Sequence, residues 1–240
     1  MHRFANPARF NNLADRILPW SIAAMVALFV WGLYLALIQS PADYQQSETV
    51  RLMYIHVPAA WMSMFAYAAM ATASGVSLIW RHPLADLAAK SIAPIGAMFT
   101  ALALITGSLW GKPMWGTWWV WDARLTSVLV MFFMYLGYMA LWRAIDDPVK
   151  AAKAAAILAL VGVINLPVIK FSVDWWNTLH QPASVMKMGG PSIDPSMLWP
   201  LLVMAAAYKA YFITVMLWRM KGEMAARRLQ ALRYQMAGGR

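Results

Sequence analysis

The sequence predicts an all-α integral membrane protein. It has six transmembrane helices, both termini in the cytoplasm, and a tryptophan-rich outer loop between the third and fourth helices. Three observations carry this prediction. The 240-residue chain is 62% hydrophobic and only 12% charged, about half the charged share of an ordinary soluble domain. Its apolar residues fall in long uninterrupted blocks. Its basic residues gather on one side of those blocks.

The first block, Leu18–Ile38, is too long for the apolar core of a signal peptide, and no small-residue cleavage site precedes the next polar stretch. It is expected to remain as a span. The second, Val57–Trp80, is approached through His56-Val57-Pro58, a sequence suited to the first turn of a helix. A short charged connection, Arg81–Lys90, carries Pro83 as a helix breaker. The third span, Ile92–Leu109, should be kinked by Pro94 and should end before a Gly111-Lys112-Pro113 turn. The fourth is Leu125–Trp142, followed by Arg143–Lys153 with Pro148 as a second breaker. The fifth, Ala154–Ile169, is opened on its outer side by Asn165-Leu166-Pro167, and the sixth is Leu198–Trp218. Within hydrocarbon each run must pair its own backbone polar groups, so all six should be helices. No internal repeat or dividing linker is visible, so residues 1–240 are expected to form a single membrane domain. The outer loops 39–56, 110–124 and 170–197 are the long ones, and length with aromatic content points to function.

Orientation follows from the cations. With the N-terminus inside, the cytoplasmic side holds fourteen, including Arg3, Arg9, Arg16, Arg81 and Lys90, and ending with Arg227, Arg228, Arg233 and Arg240 in the tail. The outer side holds five: Arg51, Lys112, Arg124, Lys170 and Lys187. Each side carries five acids, so the net charge of +10 lies almost wholly inside. That excess orients the chain and attracts anionic membrane lipids; it is not a nucleic-acid footprint. The basic tail Arg219–Gln235 is expected either to lie on the inner surface or to dock a cytoplasmic subunit. The chain has no cysteine, which excludes disulfides, thiolate metal sites and covalent haem attachment through Cys-x-x-Cys-His.

Chemistry concentrates outside. Trp110, Trp115, Trp118, Trp119 and Trp121 lie within twelve residues, ending at Asp122 and Arg124. Such a cluster is either an anchor in the interfacial aromatic belt or a platform for a planar ligand. If the segment were helical, Trp115 would share a face with Trp118 and Trp119, and Trp118 with Trp121. Of four histidines, His2 and His82 fall inside, while His56 and His180 fall outside with the tryptophans. A lone loop histidine is usually a surface residue. Two of them beside an indole floor offer what a haem needs: two axial nitrogens and an aromatic surface. Arg124, Lys112 and Arg51 are the cations placed to receive propionates. Asp122 suits a bracing role, accepting a bond from an imidazole or an indole N–H. Lys209, in the middle of the sixth span, is expected to face the bundle or a partner subunit, since no span contains an acid.

The segment Trp115-Gly116-Thr117-Trp118-Trp119-Val120-Trp121-Asp122-Ala123-Arg124 resembles the WWD motif of haem-handling membrane proteins. Within that group the chain is similar to the cytochrome c maturation protein C, or haem exporter protein C, family. Met53-Tyr54-Ile55-His56-Val57-Pro58 and Trp175-Trp176-Asn177-Thr178-Leu179-His180-Gln181 resemble the family's two histidine segments, and six spans cover the full length. The resemblance implies a protein that holds haem b at the periplasmic face of the bacterial inner membrane. By motif match, His56 and His180 become the axial iron ligands. Trp115, Trp118, Trp119, Trp121 and Asp122 become the haem and chaperone platform. The implied partners are a membrane-anchored haem chaperone, a small single-span subunit and ATP-binding-cassette subunits. The implied role is delivery rather than catalysis.

Two other functions remain to be weighed. A transport subunit could carry haem or another small molecule through the bundle, although the absence of acids within the spans argues against proton coupling. An electron-transfer cytochrome b would need histidines on facing spans, and none lies within a predicted span.

Overall fold

The computed structural model describes residues 6–181, 184, 185 and 187–238. His2, Arg3, Pro182 and Arg240 of the sequence analysis lie outside these residues. The chain is a multi-pass α-helical membrane protein with six helices long and apolar enough to span a bilayer. They run as α1 (Pro7–Tyr34), α2 (Met53–Trp80), α3 (Pro83–Trp115), α4 (Ala123–Ala144), a broken fifth rod of α5 (Pro148–Val161) and α6 (Asn165–Trp175), and α7 (Pro195–Gly238).

The helices extend beyond the apolar runs because polar caps, not hydrophobicity, decide where they start and stop. Asn6 opens α1 by accepting from the Ala8 and Arg9 amides at 2.9 and 3.4 Å, with Pro7 as the first helical residue. Pro83 and Pro148 act in the same way. They break nothing; each is the first residue of its helix, behind caps supplied by His82 and Asp147. At the other end of α1 a single wide turn, Leu35–Gln39, carries the chain out of the helix. A short turn, Glu48–Leu52, then leads directly into α2.

Two expectations about helix ends need correction. Gly111-Lys112-Pro113 is not a turn. α3 passes through it and closes only at Gly116, where φ is +74° and the amide donates to the Lys112 carbonyl at 3.0 Å. Pro113 has no N–H to give the Leu109 carbonyl, so the helix forgoes that bond one turn before it ends. Nor does the basic tail form a separate surface helix, since α7 is unbroken from Pro195 to Gly238. Lys90 pairs with Glu223 at 2.7 Å, Arg227 with Asp86 at 2.8 Å, and Lys221 with Asp15, tying the extension of α7 to α3 and α1. The break expected near Pro167 is present. A tight turn, Gly162–Ile164, separates α5 from α6, as the missing proline N–H requires.

Lipid tails are as apolar as leucine, so close packing of small residues joins the helices. Ala59, Ala66, Ala93, Ala103, Ala155 and Ala159 are buried at the contacts. Tyr67 and Tyr135 fill the space between them, their rings edge-on at 5.1 Å, and the Tyr135 hydroxyl donates to the Ser63 carbonyl at 2.8 Å. α2 packs along α3, whereas α1 rests chiefly on α7. This frame leaves the 40–52, 116–122, 176–181 and 187–194 segments at one end of the bundle.

Candidate functional site

His56 occupies the first turn of α2 and faces one side of α3. Its Nδ1 lies 3.0 Å from the Ala103 carbonyl and 3.2 Å from the Thr106 hydroxyl. A carbonyl only accepts, so Nδ1 carries the proton and Nε2 keeps its lone pair. Gly107 makes room for the ring: a Cβ there would stand 2.9 Å from His56 Cε1. Trp110 meets the imidazole edge-on at 5.7 Å and is fixed by donating Nε1–H to the Gln46 side-chain carbonyl at 2.9 Å. Ala103, Thr106, Gly107 and Trp110 therefore form one stripe of α3 at helical spacing, and the whole stripe addresses His56. The i, i+3, i+4, i+7 pattern was available in the sequence as the signal for this role. Gln46, in a loop, carried no such signal.

His180 is held from three sides. Its ring is 5.0 Å from that of Trp115, the last residue of α3. Its amide donates to the Thr178 hydroxyl at 3.2 Å, and that hydroxyl in turn hydrogen-bonds Asp122 Oδ2. Asp122 Oδ2 stands 3.6 Å from His180 Nδ1, an electrostatic contact rather than a hydrogen bond. The other oxygen, Oδ1, caps α4 by accepting from the Leu125 amide at 2.7 Å. One carboxylate thus starts a helix and orients an imidazole, directing Nδ1 inward and leaving Nε2 open. Burial holds His180 below the usual histidine pKa, and the nearby Arg124 charge adds to this. Asp122 opposes both, raising it. Both Arg124 and His180 lie within electrostatic range of His56.

The tryptophan segment is not helical beyond Trp115, so the shared faces expected of a continuous helix do not form. Instead the indoles divide. Trp115 turns in toward His180, while Trp119 packs beneath Trp121 at 5.5 Å with its Nε1–H buried and lacking an acceptor among the described residues. Trp118 and Trp121 are 54% and 76% exposed, far more than packing alone would leave them. Beside them an open cleft of 370 Å³ is lined by Val120, Trp121, Asp122, Asn177, Thr178 and Leu179.

The three cations expected to receive propionates are all engaged within the chain. Arg124 donates to the Ser172 hydroxyl at 3.0 Å and to the Ile169 and Lys170 carbonyls at 3.3 and 3.4 Å, fastening the start of α4 to α6. Lys112 donates to the Gly116 carbonyl at 3.0 Å and lies 5.9 Å from the Trp118 ring. Arg51 pairs with Glu48 at 2.5 Å and donates to the Ala36 carbonyl at 3.1 Å. Ser172, not singled out in advance, is a further positioning residue, as is Asn165, named earlier only for its place beside Pro167, whose Nδ2 donates to the Ser127 carbonyl at 2.8 Å.

Chemically, the site offers two imidazoles whose Nδ1 atoms face protein oxygens and whose Nε2 atoms have no partner among the described residues, together with exposed indole surface. That donor set fits a planar aromatic group bearing a metal able to take two axial nitrogens. The fold and site define a class: polytopic helical membrane proteins that gather histidines and tryptophans from helix ends and loops at one end of the bundle. Within that class the chain belongs to the Heme exporter protein C family, whose model matches residues 1–235. The chain is 63% identical over 233 residues to the Heme exporter protein C of Bradyrhizobium diazoefficiens, covering 97% of this chain and 88% of the relative. It is 50% identical over 225 residues to that of Escherichia coli K12, covering 92% and 89%. With that of Paracoccus denitrificans it shares 43% over 230 residues, 95% of each.

Proposed function

We propose that this chain binds haem b between His56 and His180 at the periplasmic face of the bacterial inner membrane. It presents that haem to a membrane-anchored haem chaperone during c-type cytochrome biogenesis. The observation that carries the reading is that both imidazoles turn Nδ1 to a protein oxygen. His56 bonds the Ala103 carbonyl through it, His180 faces the Asp122 carboxylate at 3.6 Å, and neither Nε2 has a partner among the described residues. The name shared by the relatives supports haem as the cargo.

On this reading Trp115 flanks the iron-binding His180, and Trp118, Trp119 and Trp121 form the platform. The exposed faces of Trp118 and Trp121 are where the chaperone would meet the bound haem. Asp122 orients His180 through its carboxylate, and Arg124 supplies positive charge while holding α4 to α6. Haem brings the reactive vinyl groups and the iron; the chain supplies binding, orientation and shelter from water. ATP-binding-cassette subunits and a small single-span subunit complete the proposed complex, and residues 1–240 act as one domain with both termini cytoplasmic. The excess of cations on the side of the termini supports that orientation.

The test is an absorption spectrum of protein purified from membranes, oxidised and dithionite-reduced, beside a His56→Ala/His180→Ala double variant. A six-coordinate haem spectrum in the parent that vanishes in the double variant is the expected result. Full haem occupancy in the double variant would remove both ligand assignments.

A further inference from the structure

Lys209 is the one cation within the six apolar runs of the sequence, and it does not face the bundle. It is exposed on the outer side of α7, its Nζ 3.7 Å above the Phe65 ring of α2. Counting from Leu198 and Trp218, it sits about 17 Å from one edge of the apolar run and about 14 Å from the other. That is close to the middle of a hydrocarbon layer about 30 Å thick. A lysine stem cannot reach either headgroup layer from there. Among the described residues no carboxylate, hydroxyl or carbonyl accepts from its ammonium, and an aromatic face replaces only part of the lost hydration.

The surface around Lys209 continues as a stripe. Leu202, Ala206, Lys209 and Ile213 follow one another at helical spacing, all exposed, with Phe65 alongside on α2. Leu202 and Ile213 are 41% and 38% exposed, and Ala206 is small enough to admit another backbone closely. All ten acids of the chain lie outside the six apolar runs. A second copy of this chain therefore has no carboxylate at the depth of Lys209.

We propose that the Leu202–Ile213 stripe of α7, with Phe65, is the seat of a transmembrane helix from a different polypeptide, bearing an Asp or Glu level with Lys209. The carboxylate pairs with the ammonium across the interface, and Ala206 lets the two backbones approach. The stripe lies on the span and away from the histidines, so this docking is independent of the haem reading.

A photo-crosslinking residue placed at Leu202 or Ile213, with Val26 of α1 as control, tests the surface in intact membranes. The expected result is a crosslink from Leu202 and Ile213, but not Val26, to one membrane polypeptide. Mass spectrometry should map it to a transmembrane segment containing Asp or Glu. Lys209→Leu should lower its yield at least tenfold, and Lys209→Arg should restore it. Crosslinks to lipid alone, a partner segment without an acid, or a yield unchanged in Lys209→Leu would each overturn the proposal. Folding of the variants is checked by accumulation in membranes and by thermal unfolding followed through tryptophan fluorescence. Loss of folded protein in both Lys209→Leu and Lys209→Met would also overturn it, by showing that the chain itself needs the ammonium.

Discussion

The His56 ring is confined more by the absence of an atom than by any bond it makes. A methyl group at position 107 would stand 2.9 Å from its Cε1, so Gly107→Ala should push the imidazole off the Ala103 carbonyl. Haem binding should then weaken by about tenfold, and part of what binds should become five-coordinate. Titration of purified protein with haem reads both effects, and an unchanged spectrum would show that the α3 stripe does not hold the ring. At His180 the deciding variable is charge. Burial, and then Arg124, hold its imidazole below the ordinary value, so the neutral ring that can bind iron persists further into acid. The stability gained by burying it neutral is complete above the unfolded pKa of about 6.5 and is lost as pH falls through the lower folded value. Haem absorption should therefore hold through about pH 6.5 and fail only below it. Arg124→Gln removes a lowering charge and should move that failure to higher pH; identical acid limbs would dismiss the electrostatic account.

Among the elements, α3 departs from its apolar run where the site is built. The run ended at Leu109, but the helix continues six residues further and delivers Trp110 to His56 and Trp115 to His180. Hydropathy reports where water is excluded, and the end of a helix is set by local chemistry, here the positive φ of Gly116. The break at Pro167 was legible because proline acts through its immediate backbone. The union of Asp122, Thr178 and His180 was not, because it joins loops 56 residues apart and no spacing encodes it. Gly96 packs directly against the Tyr135 ring, leaving no room for a side chain. Gly96→Ala should displace that ring, break its bond to the Ser63 carbonyl and cost about 1–3 kcal/mol. Thermal unfolding in detergent, compared with Tyr135→Phe, measures the loss. Equal stability of Gly96→Ala and the parent would mean that α3 and α4 can separate without penalty.

Across the whole molecule, the six-span plan and the charge asymmetry were readable from the order of residues, because a bilayer imposes both on a chain that crosses it. With no native cysteine, single introduced thiols report sidedness cleanly. Asn177→Cys should react with a membrane-impermeant maleimide added to spheroplasts, and Arg228→Cys should react only after lysis; the reverse pattern would invert the orientation. The ion pairs Lys90–Glu223 and Arg227–Asp86 are partly exposed, so each should be worth about 0–1 kcal/mol and weaken with salt. A double-mutant cycle on Lys90 and Glu223 at low and high salt would expose any larger contribution. What these pairs grip is a single rod. α7 starts just after the loop that carries His180, crosses the membrane without interruption and continues past the clamps, 44 residues and about 66 Å in all. A helix that long and unbroken fixes the rotation of one end against the other: the face of α7 that α3 grips through Lys90 and Asp86 settles which face it turns where it leaves the His180 loop.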